Sequence, residues 1–213
     1  RQRQMCIRDR GNTKVKGGNR ITLLRDADGD GNYELKTVFA DNLNAPYGLA
    51  FADGKLYVAN QDALVRFDYT DGQTQASGAP TKITDLPAQI NHHWTKSLAV
   101  SEDGRQLYVG IGSNSNITER GMEVEIDRAM VWQIDAATGA RKPYATGLRN
   151  PTALTIQPGS GQLWTVVNER DELGPDLEPD YLTSVREGAF YGWPYSYCCL
   201  LYTSDAADER SSV

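Results

Sequence analysis

The chain is poor in cysteine: of its 213 residues only Cys6, Cys198 and Cys199 are of this type, and all three stand near the ends. The stretch between them therefore supports neither a disulfide framework nor a cysteine metal site, and leaves the redox compartment unread. No apolar run approaches the roughly 20 residues that a membrane-spanning helix needs. A basic stripe is also missing, and the net charge of −6 argues against a nucleic-acid surface. Helical spacing of apolar residues is almost absent. Histidine occurs only twice, at the adjacent positions His92 and His93.

What the chain has instead is one phrase written three times. The copies are Phe39-Ala-Asp-Asn-Leu43 leading to Gly48-Leu-Ala-Phe51 and Gly54-Lys-Leu-Tyr-Val58; Ile83-Thr-Asp-Leu86 leading to Ser97-Leu-Ala-Val100 and Gly104-Arg-Gln-Leu-Tyr-Val109; and Tyr144-Ala-Thr-Gly-Leu148 leading to Ala153-Leu-Thr-Ile156 and Gly161-Gln-Leu-Trp-Thr165. The loop before the paired strands carries Asn44 in the first copy, His92, His93 and Lys96 in the second, and Arg149 and Asn150 in the third. Equivalent loops of a repeat converge on one face, so these residues are expected to share a site.

The ends read differently from the middle. Codons available to Met5-Cys-Ile-Arg-Asp9 and to Cys199-Leu-Leu-Tyr-Thr-Ser204 can be written as opposite strands of one duplex, which resembles a transposase adapter used in sequencing libraries. Residues 1–10 and 199–213 are accordingly set aside as adapter-derived, with residues 11–198 taken as the domain. The N-terminal segment is basic and the C-terminal one acidic, so removing both leaves the interior slightly more acidic than the whole. With the true N-terminus absent, a missing signal peptide carries no information.

Short alternating apolar and small segments separated by Asp-Gly or Ser-Gly predict hairpin-joined strands. Ala63 to Asp68 and Ala129 to Asp135 supply a third strand; Lys36 to Phe39, Lys82 to Thr84 and Lys142 to Tyr144 supply a fourth. Four antiparallel strands recurring every 40 to 60 residues without helices predict an all-β chain and a partial β-propeller, about three blades and part of a fourth. A closed six-bladed ring needs nearly twice this length, so the chain is read as a fragment with an exposed strand edge.

Asp26-Ala-Asp-Gly-Asp-Gly31 has the opening of a calcium loop, but Thr37 stands where an EF-hand requires its bidentate acid, so an Asp/Gly hairpin turn is the simpler reading and a structural ion the alternative. In an extended segment His92 and His93 point to opposite faces, so one faces the shared site while the other packs or caps a loop. A neutral imidazole suits abstraction of a hydroxyl proton. Arg149 reads either as an anion clamp or as a group that holds an oxyanion. The aromatic pair in Tyr191-Gly-Trp-Pro194 reads as blade packing, and Trp94 as the better surface for stacking.

Several phrases together resemble the pyrroloquinoline-quinone-dependent sugar dehydrogenases, six-bladed propellers, and in particular their sorbosone dehydrogenase branch: Leu86-Pro87 leading to His93 and Leu98, Gly147-Leu-Arg-Asn-Pro151, Val167-Asn-Glu-Arg-Asp171 leading to Gly174-Pro175 and Pro179-Asp-Tyr-Leu182, and Gly188-Ala-Phe-Tyr-Gly-Trp-Pro194. The resemblance implies that His93 is the base taking the proton of a sugar's anomeric hydroxyl as hydride leaves for the quinone. It implies that Arg149 faces the quinone oxygen, with Asn150, Asn44, His92 and Lys96 about the cofactor. Carbonyls near Gly174 and Pro175 would coordinate calcium. It further implies a sugar or sugar-aldehyde substrate, an external electron acceptor, and a periplasmic or secreted enzyme.

The chain also departs from the soluble glucose dehydrogenases of that family. His92 replaces the aspartate before their histidine, Asn44 is only near the place of their first-blade glutamine, and the acidic segment 169–180 is longer than their calcium loop. Two other classes stay open: a calcium-dependent sugar lactone hydrolase, which would draw ligands from Glu169, Asn44 and Asn150, and a propeller that binds a protein without catalysis.

Overall fold

A computed structural model describes residues 3–8, by their backbone, together with 19–172 and 179–196. The described chain is all-β. Fourteen strands run as β1 (Arg3–Arg8), β2 (Ile21–Asp26), β3 (Leu35–Ala40), β4 (Gly48–Ala52), β5 (Lys55–Ala59), β6 (Ala63–Asp68), β7 (Thr81–Asp85), β8 (Lys96–Val100), β9 (Gln106–Ile111), β10 (Met130–Asp135), β11 (Arg141–Thr146), β12 (Pro151–Ile156), β13 (Leu163–Val167) and β14 (Tyr181–Val185). The helical content among them is one 3-10 turn, Glu123–Glu125.

The strands form four antiparallel sheets, each built from strands consecutive in the chain: β1-β2-β3, β4-β5-β6-β7, β8-β9-β10-β11 and β12-β13-β14. That is the up-and-down unit of a propeller blade, made by hairpins alone. The fourth strands anticipated from Lys36, Lys82 and Lys142 are β3, β7 and β11. The sequence expectation of about three blades and part of a fourth meets four sheets here, two with four strands and two with three. The β1 strand lies in the segment whose codons read as adapter, and its backbone pairs with the open edge of β2.

Contacts divide the chain into two compact units, Arg1–Leu86 and Pro87–Val213, where the sequence reading took residues 11–198 as one domain. In the first, Ile21, Leu23, Phe39, Val58, Val65 and Phe67 bury the facing sides of β2, β3, β5 and β6. In the second, Val131, Ala145, Leu163, Val167, Val185 and Tyr191 fill the space between the last two sheets. There the inner strands β8 and β12 run side by side, and Ser97 Oγ donates to the Pro151 carbonyl at 2.6 Å. Glycine is required at their approach, because a Cβ on Gly110 would collide with both Ser97 and Pro151.

The Tyr191-Gly-Trp-Pro194 pair packs as anticipated. Tyr191 and Trp193 are buried. The Tyr191 hydroxyl donates to the Ser184 carbonyl at 2.7 Å and accepts from the Arg186 amide at 2.9 Å.

Candidate active site

The loop entering β8 is not extended. Ile90 and Asn91 take left-handed backbone angles (φ 61° and 55°), which asparagine tolerates and isoleucine does not favour. The bend corrects the expectation that neighbouring histidines point apart: the His92 and His93 rings meet edge to face with centroids 4.7 Å apart. His92 is exposed, while His93 is half-buried.

His93 is held through one ring nitrogen. Nδ1 lies 2.8 Å from the Ser113 carbonyl and 3.0 Å from Ser113 Oγ. The carbonyl can only accept, and the Ser113 hydroxyl spends its proton on the Ser115 carbonyl at 2.6 Å. Nδ1 must therefore carry the hydrogen, which leaves the lone pair on Nε2. Burial pushes the imidazole down to about 4, Arg149 adds to that fall, the Ser113 carbonyl opposes it, and His92 and Arg128 contribute smaller repulsions. At neutral pH the ring is an uncharged base.

The third-copy loop is brought to the same place. The Ser113 amide donates to the Arg149 carbonyl at 2.8 Å. A Cβ added to Gly112 would lie 2.5 Å from both the Asn150 Oδ1 and the His93 Cβ, so only glycine fits between them. Asn150 is buried, and its Oδ1 has no hydrogen-bond partner.

Arg149 does not present free donors. The side chain is fully buried. Nε donates to the Asn116 carbonyl (3.1 Å), Nη1 to the carbonyls of Asn168 (3.1 Å) and Glu169, and Nη2 to Asn116 Oδ1 (2.7 Å) and Asp171 Oδ2 (3.2 Å). All five guanidinium hydrogens are thus directed at protein oxygens. Burial holds this group below its ordinary range, against the pull of Asp171 and Glu169. Lys96 is likewise turned inward, donating to Asn91 Oδ1 at 2.8 Å and the Trp94 carbonyl at 3.1 Å.

Among the remaining sequence candidates, Asn44 belongs to the first compact unit. It is exposed, and its Oδ1 accepts from Gln61 Nε2 at 2.8 Å. Gly174 and Pro175 lie outside the described residues. The Asp26 loop is a hairpin turn in which the Asp26 carboxylate accepts the amides of Gly29 (2.6 Å) and Gly31 (3.0 Å). It also gathers Asp26, Asp28, Asp30 and Glu34 with carboxylate oxygens within 4.8 Å of one another, a donor set suited to a hard cation.

Sequence reasoning missed Gly112, Ser113, Asn116 and Arg128. All but none of these lie in a repeated phrase; they come from the excursion 112–129 between β9 and β10, where the first copy has only residues 60–62. That length difference was the readable signal, since a long loop in a short-loop repeat usually carries function.

The sequence model of the TrAA12-like family matches residues 3–210. Among solved structures, a Trichoderma reesei carbohydrate-active enzyme of family AA12 superposes with a TM-score of 0.72 at 18% identity, over 91% of this chain and 58% of that one. The holo PQQ domain of Coprinopsis cinerea pyranose dehydrogenase gives 0.67 at 17% identity, over 89% and 53%. The PQQ-bound aldose sugar dehydrogenase of Streptomyces coelicolor gives 0.57 at 18%, over 92% and 67%. No curated protein matches the chain significantly. The chain thus spans about three fifths of the length of the first of these structures, and the likenesses establish a shared fold. By its family match, the chain belongs to the TrAA12-like family.

Proposed function

We propose that the chain is part of a quinoprotein dehydrogenase that oxidises an aldose or a sorbosone-like sugar aldehyde, with His93 as the base. The observation that carries this reading is the His93 imidazole, fixed in one tautomer by Ser113 and kept neutral by burial, with its Nε2 lone pair free of that anchor. Such a group accepts a hydroxyl proton at neutral pH.

The residues fit pyrroloquinoline quinone at two points. Asn150 offers a buried amide whose oxygen lacks a protein partner, next to His93 across Gly112. Arg149 adds a buried positive charge close enough to lower the His93 basicity, which favours electron-rich groups nearby. The fit differs from the sequence expectation for Arg149 itself: its contribution is through its field and through holding residues 116, 168, 169 and 171, because its hydrogens are already engaged. When bound, the quinone supplies the hydride acceptor. The protein's own residues hold the imidazole, take the hydroxyl proton at Nε2 and supply positive charge around it.

Calcium at Gly174 and Pro175, the six-bladed ring, an external electron acceptor and a periplasmic or secreted location belong to this proposal and rest on the resemblance. Among the described residues no helix is long and apolar enough to cross a membrane. The adapter reading of residues 1–10 and 199–213 rests on their codons, and genomic sequence across both junctions tests it. For the lactonase alternative Asn44 would have to be a ligand, whereas its Oδ1 is engaged by Gln61.

The test is aldose-dependent dye reduction by the complete protein, with and without the quinone plus calcium, beside His93→Ala. Activity that requires the cofactor and collapses in the variant supports the reading. Folded protein inactive on aldoses and sorbosone overturns it.

A further inference from the structure

Arg128 was singled out by no repeat or motif, yet it touches more of the His93 surroundings than any residue anticipated from the sequence. It is buried between two residues with left-handed backbone, Asp127 (φ 63°) and Ala129 (φ 51°). From there Nε donates to the Gly112 carbonyl (2.9 Å), Nη1 to the Pro87 carbonyl (3.1 Å), and Nη2 to both Asn91 Oδ1 (3.0 Å) and the His93 carbonyl (3.2 Å). Those oxygens belong to two segments. One, residues 87–93, carries the imidazole; the other, beginning at Gly112, carries the Ser113 oxygen that fixes its tautomer.

We propose that Arg128 is the positioning residue of this site, stapling the histidine-bearing bend to the Gly112-Ser113 turn so that the imidazole keeps its register against Ser113 and Asn150. This deepens the dehydrogenase reading and rests on it for its catalytic consequence. The planar fork of a guanidinium can serve carbonyls on two segments at once, which a single ammonium cannot do in the same geometry. Lys96 reinforces the bend from within by sharing Asn91 Oδ1. Behind Arg128 stands buried Glu125, whose Oε2 accepts the Asn114 amide at 2.8 Å, while Asn114 Oδ1 accepts the His92 amide at 3.3 Å. Burial brings Arg128 down to about 10, with Glu125 opposing that fall, so it stays cationic at neutral pH.

The experiment replaces Arg128 by Met, near in volume and uncharged, and by Lys. In the complete protein without cofactor, nitrogen-15 imidazole spectra read the His93 tautomer and its titration against Arg149, His92 and the Ser113 carbonyl. The expected result for Arg128→Met is a mixture of tautomers and a midpoint raised from about 4 toward 6.5. With quinone and calcium, kcat should fall by about 10- to 100-fold while KM for the aldose changes little, since small misplacements of a base cost rate. Arg128→Lys should recover part of both signals. A folded Arg128→Met with the wild-type tautomer, midpoint and kcat overturns the proposal. If that variant does not fold, Asn91→Gly removes the shared acceptor while keeping the left-handed backbone. It should then shift the same spectra in the same direction, and unchanged spectra overturn the proposal. Wild-type protein inactive on every sugar would sink the dehydrogenase reading alone, because the spectra still report on the staple.

Discussion

The first and second copies of the repeated phrase use the same strands and differ in what their entry loops bury. In the first, Asn44 is exposed and pairs with Gln61 across a short return, residues 60–62. In the second, the return has grown to residues 112–129, and the loop it covers holds Lys96 and Arg128 buried, a half-buried His93 and left-handed Asn91. The strand frame is set by alternating apolar residues and is indifferent to this difference. A frame that tolerates loop growth lets one copy build an interior polar network, with buried cations satisfied by carbonyl oxygens.

The largest effect that would break the contrast is on activity. His93→Ala should lower sugar-dependent dye reduction by at least about 100-fold without altering the circular dichroism spectrum. A mild loss would mean that the buried network is only structural. Arg149→Met should come next, costing about 3 kcal/mol in denaturant unfolding, because buried carbonyls of Asn116 and Glu169 lose their donor. Gly112→Ala drives a methyl group into His93 and Asn150 and should cost about 1–3 kcal/mol and depress activity together.

Acid should act selectively on the second copy. The folded His93 value of about 4 lies below its ordinary 6.5, so between them the unfolded chain binds more protons and stability rises with pH. Stability from this group is full above about 6.5, falls as pH drops toward 4, and should lose that slope in His93→Gln, as acid melting curves would read. The acid limb of kcat/KM should lie nearer 4 than 6.5. Asn44→Ala should change unfolding by no more than about 0.5 kcal/mol and leave dye reduction intact; a large activity loss would instead join the first-copy loop to the site.

Much of the frame was legible. The phrase around Leu56-Tyr-Val58 and Leu107-Tyr-Val109 alternates with period two and became β5 and β9, and Lys82 to Thr84 became part of β7. Of the site, His93, Arg149 and Asn150 were found because equivalent loop positions of a repeat are readable by alignment of the phrase with itself. Their contacts were not. His92 was expected to face away from His93, and the bend at Ile90 and Asn91 brings the rings together. Arg149 was expected to offer its donors outward, and Asn116, Asn168, Glu169 and Asp171 take them all.

The sequence by itself determined the strands, their hairpin order and the three polar loops, because alternation and turn residues act between neighbours in the chain. Tertiary structure alone decided which polar groups would be buried and which nitrogen of His93 would carry the proton. Those outcomes depend on carbonyls of Gly112 and Ser113 and on the Arg128 fork, groups remote along the chain whose positions follow from how the excursion 112–129 folds back over β8.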